Sequence, residues 1–215
     1  MARLGQVTGL PASRRRGRPD AAPREKVEQL AIRLMRRDGY DNVSVDAIVA
    51  AAGIGRMTFF RYFGSKPGVV WYAFDDTITW LAAGLRTADD DGAHPLDAVR
   101  AAIMSSTRSA VLGSDVWLER FEILDTTPAL RAGAYEHWER WKQVIAEYIA
   151  SRAGGADLVI PAAIAGACQG VFIAELRSWL KTSRDRDMFL LRLDQSLLAV
   201  TATLREVLPA AREGS

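Results

Sequence analysis

The chain holds 215 residues, 49% of them hydrophobic and 25% charged, with a formal net charge of +2 and a single cysteine, Cys168. That length serves one large domain or a small domain joined to a larger one, and a lone cysteine excludes an internal disulfide framework. Residues 1–66 carry 13 Lys and Arg against 6 Asp and Glu, while residues 67–215 carry 15 against 20, so a basic head on an acidic body points to a polyanion at one end only.

The N-terminus lacks an apolar signal core, and no apolar run approaches the roughly 20 residues of a membrane span. A cytoplasmic protein with no membrane partner is expected. Residues 1–22 have no apolar periodicity and read as a flexible basic arm. Its "RRRGRP" holds Arg16-Gly17-Arg18-Pro19, a core that resembles an AT-hook. Glycine lets such a chain lie in a narrow minor groove, where Arg16 and Arg18 meet strong negative potential. The alternative is a basic tail that aids solubility.

A first helix follows, with Val27, Leu30, Ala31, Leu34 and Met35 on one face and Gly39 as its stop. Ser44 suits the N-cap of a short second helix that turns Val45, Ile48, Val49 and Ala52 inward, and Gly53 suits its C-terminal turn. A third short helix runs from Arg56 to Tyr62. Ser65 then caps a long fourth helix that tolerates Pro67 in its first turn and repeats Trp71, Phe74, Ile78, Leu81 and Leu85 at steps of three and four. Further helices are expected near 95–111, 116–125, 128–152, 157–182 and 186–208. No segment shows the period-two alternation of strands, so the fold class is all-α, with a head at 23–66 and a larger helical body at 67–215.

Two helices joined by a glycine-bearing turn form the helix-turn-helix arrangement, whose second helix enters the major groove. In "GIGRMTFFRYFGSK" (residues 53–66) Phe59, Phe60 and Phe63 are expected in the core. Arg56, Thr58, Arg61 and Tyr62 then lie on the other side, with Lys66 at the next helix N-terminus, a place suited to phosphate. Thr58 is expected nearest base edges, Tyr62 and Lys66 on phosphate. The competing view places Tyr62 in a small core with the phenylalanines.

The stretch "VSVDAIVAAAGIGRMTFFRYFGSK" before a long linking helix resembles the DNA-binding domain of the tetracycline-repressor (TetR) family. Ile48, Gly53, Tyr62, Phe63 and Lys66 fall in register with that family's pattern. Where the family usually has Thr this chain has Ser44 or Val45, so a helix 2 phosphate contact falls to Ser44 or is lost. Within the family the chain is most similar to regulators associated with mycofactocin gene clusters, a likeness that also rests on "TPALRA" (residues 127–132). The resemblance implies a homodimer on palindromic, double-stranded operator DNA. It also implies release by an apolar small molecule, specifically a long-chain fatty acyl-coenzyme A.

In the body, Leu190, Leu193, Leu197, Val200, Leu204 and Val207 form a near-heptad seam, and Ala162, Ala163, Ala165, Gly166, Ala167 and Gly170 permit close helix approach. The seam faces a partner subunit, its own core, or both. Met104, Trp117, Phe121, Leu124, Tyr135, Trp138, Trp141 and Phe172 are candidates to line an apolar cavity, each also readable as plain core. Arg131 is a candidate polar anchor, with Arg120 as another at the pocket mouth and His137 as either anchor or surface residue. An enzyme is the competing class. His94 and His137 are far apart, and no HExxH, CxxC or phosphate-cradling loop is present. No catalytic residue, metal or cofactor is expected, and Cys168 reads as a packing residue. A sequence-neutral DNA-packaging protein would explain the basic head but not the large acidic body.

Overall fold

The computed structural model describes residues 22–88, 94–153, 158–182 and 184–208. Arg16 and Arg18 lie outside the described residues. Among those described the chain is helical: α1 (Arg24–Asp38), α2 (Val45–Ala52), α3 (Arg56–Phe63), α4 (Lys66–Arg86), α5 (Pro95–Gly113), α6 (Arg120–Thr126), α7 (Pro128–Arg152), α8 (Val159–Lys181) and α9 (Arg186–Leu204). The architecture is all-α, as expected from the periodicities.

Local chemistry sets the head. Ser44 Oγ accepts from Ala47 N at 3.0 Å and Ser65 Oγ from Gly68 N at 3.1 Å, each satisfying an orphan donor of a first helical turn. Gly53 ends α2 in the left-handed region (φ 63°), which costs other residues a steric clash and glycine nothing. At Gly68 the demand is space: a Cβ there would sit 2.0 Å from the Phe63 carbonyl oxygen. The start of α4 is thereby pressed against the end of α3. Any movement of α4 is felt directly by the helix before it.

One apolar core runs through head and body. α1 contributes Val27, Ala31, Ile32 and Met35, α4 contributes Val69, Phe74, Ile78, Leu81 and Leu85, and α5, α7, α8 and α9 close around them. α4 packs on α1 in the head and on α5 and α7 in the body, so it belongs to both. Cys168 is fully buried on α8, and burial pushes its thiol up to about 11. It is expected to resist alkylation near neutral pH until the protein is unfolded, because the thiolate is the nucleophile. Native-state labelling as fast as that of denatured protein would contradict the packing.

The last two helices divide what the sequence left open. The first half of the seam faces inward, with Leu190, Leu193 and Leu197 at 2%, 0% and 0% exposure and Thr201 continuing the stripe, whereas Val200 and Leu204 are half-buried and Val207 is exposed. The exposed stripe of α9 is offset by one residue and comprises Met188, Leu191, Gln195, Leu198 and Ala202. α8 also meets the length and composition of a membrane span, with mean hydropathy 1.7. An apolar stretch of that length was not expected from the sequence, but the core helix of a soluble protein meets the same length and composition. Only 33% of that window is buried, less than a plain core helix requires, and Ala163, Gly170 and Ala174 lie on its open side.

Candidate nucleic-acid interface and ligand cavity

α3 presents a compact outward face. Phe59 and Phe63, four residues apart, are buried, while Arg56, Met57, Phe60 and Arg61 are exposed. Phe60 corrects the sequence expectation: it is 41% exposed rather than core. A two-turn helix packed on one side has room for one buried stripe, and Phe60 lies about 100° around from Phe59. It packs edge-on against Phe59 at 5.5 Å, with the Arg56 guanidinium 5.8 Å from its ring. Met57, at 85% exposure, is the most prominent side chain on this face. Sequence reasoning overlooked it, although its position next to Thr58 at the start of α3 was the available signal.

The remaining head residues are partly engaged with the head itself. Arg56 pairs with Asp46 of α2. The half-buried Tyr62 hydroxyl donates to the Ala22 carbonyl at 3.3 Å, and Arg61 lies 5.5 Å from the Tyr62 ring. Lys66 Nζ donates to the Tyr40 carbonyl at 2.5 Å and sits 4.0 Å from the Tyr40 ring centroid. Burial holds its pKa below the ordinary lysine value. Ser44 is occupied as a cap. Thr58 is half-buried beside the exposed face.

In the body an apolar cavity of about 180 Å³ opens between α4, α6, α7 and α8. Its walls are Trp71, Phe121, Leu124, Ala134, Trp138, Ile173, Leu176 and Leu180, with Asp125, Arg131 and Arg177 among the polar residues lining it. Of the residues singled out from sequence, Phe121, Leu124, Arg131 and Trp138 line this cavity, while Tyr135 and Trp141 are not among its lining residues. Phe172 is buried behind the wall, its ring centroid 5.7 Å from that of Trp138 and 6.5 Å from that of Phe121. Trp117 is core, packed 5.2 Å from Phe121, and borders a separate cavity against α1. Met104 is buried on α5 and is not among the lining residues of the 180 Å³ cavity. Trp71, Ile173 and Leu176 are walls that the sequence did not single out, because a cavity assembled from four helices leaves no local spacing to read.

Trp71 has a second role. Its ring stacks on His137 (centroids 4.2 Å apart, 9° between planes), and His137 Nδ1 lies 2.6 Å from Asp75 Oδ1, which Arg140 also engages at 2.5 Å. His137 is therefore tied to α4 rather than anchoring a ligand. Trp71 also lines a crevice of about 370 Å³ with Tyr62, Ser65 and Gly68, so one side chain borders both the apolar cavity and the base of the head.

Arg120 is corrected outright. It is not at the pocket mouth but fully enclosed, 2.6 Å from Glu28 of α1. Burial pushes the Glu28 carboxyl upward, with Arg120 pulling against that shift. Nearby Arg36 meets Glu119 at 2.6 Å and Glu122 at 3.0 Å, and Arg184 meets Glu122 at 3.0 Å. Burial raises the Glu122 pKa, yet the hydrogen bonds and charges of Arg184 and Arg36 outweigh it and leave that carboxyl lowered.

A basic helix-turn-helix head fused through one continuous helix to an apolar helical body defines a transcriptional regulator. The family pattern for "Bacterial regulatory proteins, tetR family" matches residues 29–70, and that of the "MftR C-terminal domain" matches residues 93–209. The chain belongs to the TetR family, with a C-terminal domain of the MftR type. It is 31% identical to a protein assigned as mycofactocin biosynthesis transcriptional regulator MftR of Mycobacterium tuberculosis (strain ATCC 25618 / H37Rv), over 80% of this chain and 87% of that one. The HTH-type transcriptional regulator EthR of the same strain is 29% identical over 69% of this chain and 67% of its own. Among solved structures, a TetR-family regulator from Mesorhizobium loti MAFF303099 superposes with a TM-score of 0.54 at 19% identity, covering 86% of this chain and 98% of that one. That likeness speaks for the fold alone.

Proposed function

We propose that this chain is a homodimeric repressor that leaves a palindromic operator when an apolar small molecule enters the cavity between α4, α6, α7 and α8. The observation that carries the reading is Trp71. It forms a wall of the cavity on the same helix whose first turn is pressed against α3 at Gly68. A ligand that displaces Trp71 moves α4, and α4 cannot move without α3. Two recognition helices must match one turn of DNA, roughly 34–36 Å, so a small rotation of each α4 suffices to break the fit.

On DNA, the exposed Met57 and Phe60 are placed for apolar contact with thymine methyl groups, and Thr58 for a base edge. Arg56, Arg61, Tyr62 and Lys66 serve phosphates, Arg56 by exchanging Asp46 for the backbone, and Ser44 offers its hydroxyl beside the α2 N-terminus. Arg16 and Arg18 take the flanking minor groove. The subunits pair through the exposed stripes of α8 and α9, which supply the cover that α8 lacks within one subunit. The cytoplasm is the compartment this function requires.

The cavity falls below the roughly 300–1,000 Å³ of drug-sized ligand sites, so a compact apolar ligand enters with little change. A long-chain fatty acyl-CoA requires the helices to part, with Arg131 and Arg177 the basic groups lining the cavity for its head. Each buried methylene contributes about 0.8 kcal/mol, so acyl thioesters of increasing length should release operator with rising potency until the cavity is full. Release that ignores chain length would remove the acyl ligand.

The test of the regulator reading is selection of bound DNA from a random pool. A palindrome should emerge, and its affinity should far exceed that for random sequence. Lys66→Ala is expected to weaken both DNAs by a similar factor and to lower the salt slope by about 1 per lost contact. Unchanged affinity in a folded Lys66→Ala protein would place the phosphate contact elsewhere.

A further inference from the structure

We propose that Glu28 and Arg120 are positioning residues for operator recognition, their buried pair holding the head at one angle to the body; this rests on the regulator reading above. Three elements converge on one guanidinium. Arg120 Nη2 lies 2.6 Å from Glu28 on α1, Nε donates to the Trp117 carbonyl at 2.8 Å, and Nη1 donates to the Val70 carbonyl of α4 at 3.1 Å. A guanidinium is a rigid planar fork, so all three partners are met in only one relative placement of α1, α4 and the segment before α6. Apolar burial alone is non-directional and adds no bond that selects this placement. A buried ion pair adds little stability over apolar packing of the same volume, and its best-attested use is to fix a register.

The periphery of the joint repeats the arrangement. Arg36 of α1 reaches Glu119 and Glu122, and Arg184, just ahead of α9, holds Glu122 with two bonds of 3.0 and 3.2 Å. Arg184 adopts φ 56°, a left-handed conformation that a non-glycine residue takes only when held there. The segment leading into α9 is thus tied through α6 to α1. Along α6 the partners interleave: Glu119, Arg120 and Glu122 face the head joint, while Phe121 and Leu124 line the cavity. In a two-fold dimer, loss of the fixed angle displaces both heads, so the spacing error between recognition helices is doubled.

The double variant Glu28→Leu/Arg120→Met removes both charges together and is expected to fold and dimerise. Its affinity for the palindrome selected by the parent protein should fall roughly ten-fold or more, the scale of an ordinary coupling between sites. Its affinity for random-sequence DNA should stay within about two-fold, because phosphate contacts need no fixed spacing. Arg36→Gln opens the partly exposed edge of the joint without touching its centre, and should lose operator selectively by about three-fold. If both variants keep the parent's ratio of operator to random-sequence affinity, or lose both affinities together, the pair has no positioning role. Failure of the parent to select any palindrome would overturn the regulator reading itself, and this proposal with it.

Discussion

Leu198→Glu is expected to yield folded monomers, while its neighbour Leu197→Glu is expected to unfold the body. Leu197 is fully enclosed within its own subunit, whereas Leu198 is 48% exposed in the open stripe of α9. A carboxylate at Leu197 would have no partner in the core and would cost several kcal/mol, a large share of the ~5–15 kcal/mol that holds a domain together. At Leu198 the carboxylate stays in water in the free subunit. It is buried only when two subunits meet, where two-fold symmetry sets a second copy nearby. Sedimentation and thermal melting separate the outcomes: Leu198→Glu should sediment as a monomer with a subunit core intact, and its operator affinity should collapse with the dimer. A Leu198→Glu protein that remains a dimer would move the interface off this face of α9.

The second large effect concerns Arg120 alone. Arg120→Met leaves Glu28 buried without its cation and should cost roughly 3–5 kcal/mol, as breaking a buried pair does. The cost should depend on pH in a defined direction. With Arg120 gone, burial and, after it, the Asp76 and Glu25 carboxylates all push Glu28 the same way, so its folded pKa stands well above the unfolded value of about 4.3. A group with a raised folded pKa contributes stability below its unfolded pKa and loses it as pH rises through the folded one. The variant should therefore melt at a lower temperature at about pH 8 than at about pH 5, by a wider margin than the parent. The double variant, lacking the carboxyl, should show no such added pH dependence. Equal pH profiles for the parent and Arg120→Met would mean that Glu28 reaches solvent in the variant.

Much of the head was legible because its determinants are local. Ser44 and Ser65 cap helices from adjacent positions, Gly53 takes the left-handed turn, and Pro67 sits where its missing N–H is harmless. Phe60 was misjudged because periodicity names a stripe but not its width. The cavity was half legible: Phe121, Leu124, Arg131 and Trp138 were recognisable as bulky, apolar or basic residues in the body, but Trp71 and Leu176 become walls only once four helices are set around them. Aromatic richness marks a region without distinguishing its lining, as with Trp138, from its packing, as with Phe172.

By itself the sequence determined the helices, their caps, the basic head and the family, since each depends on residues within a turn or two of one another or on charge summed over a segment. The tertiary structure alone decided which face of α9 turns inward. Apart from Gln195 in one and Thr201 in the other, both of its stripes are apolar at steps of three and four, and a period carries no phase until neighbouring helices occupy one side. It alone also joined Arg120 to Glu28 across 92 residues. A charge in the sequence records neither its burial nor its partner; only the packing of α1 against α4 and α6 removes the water and leaves a single carboxylate within reach.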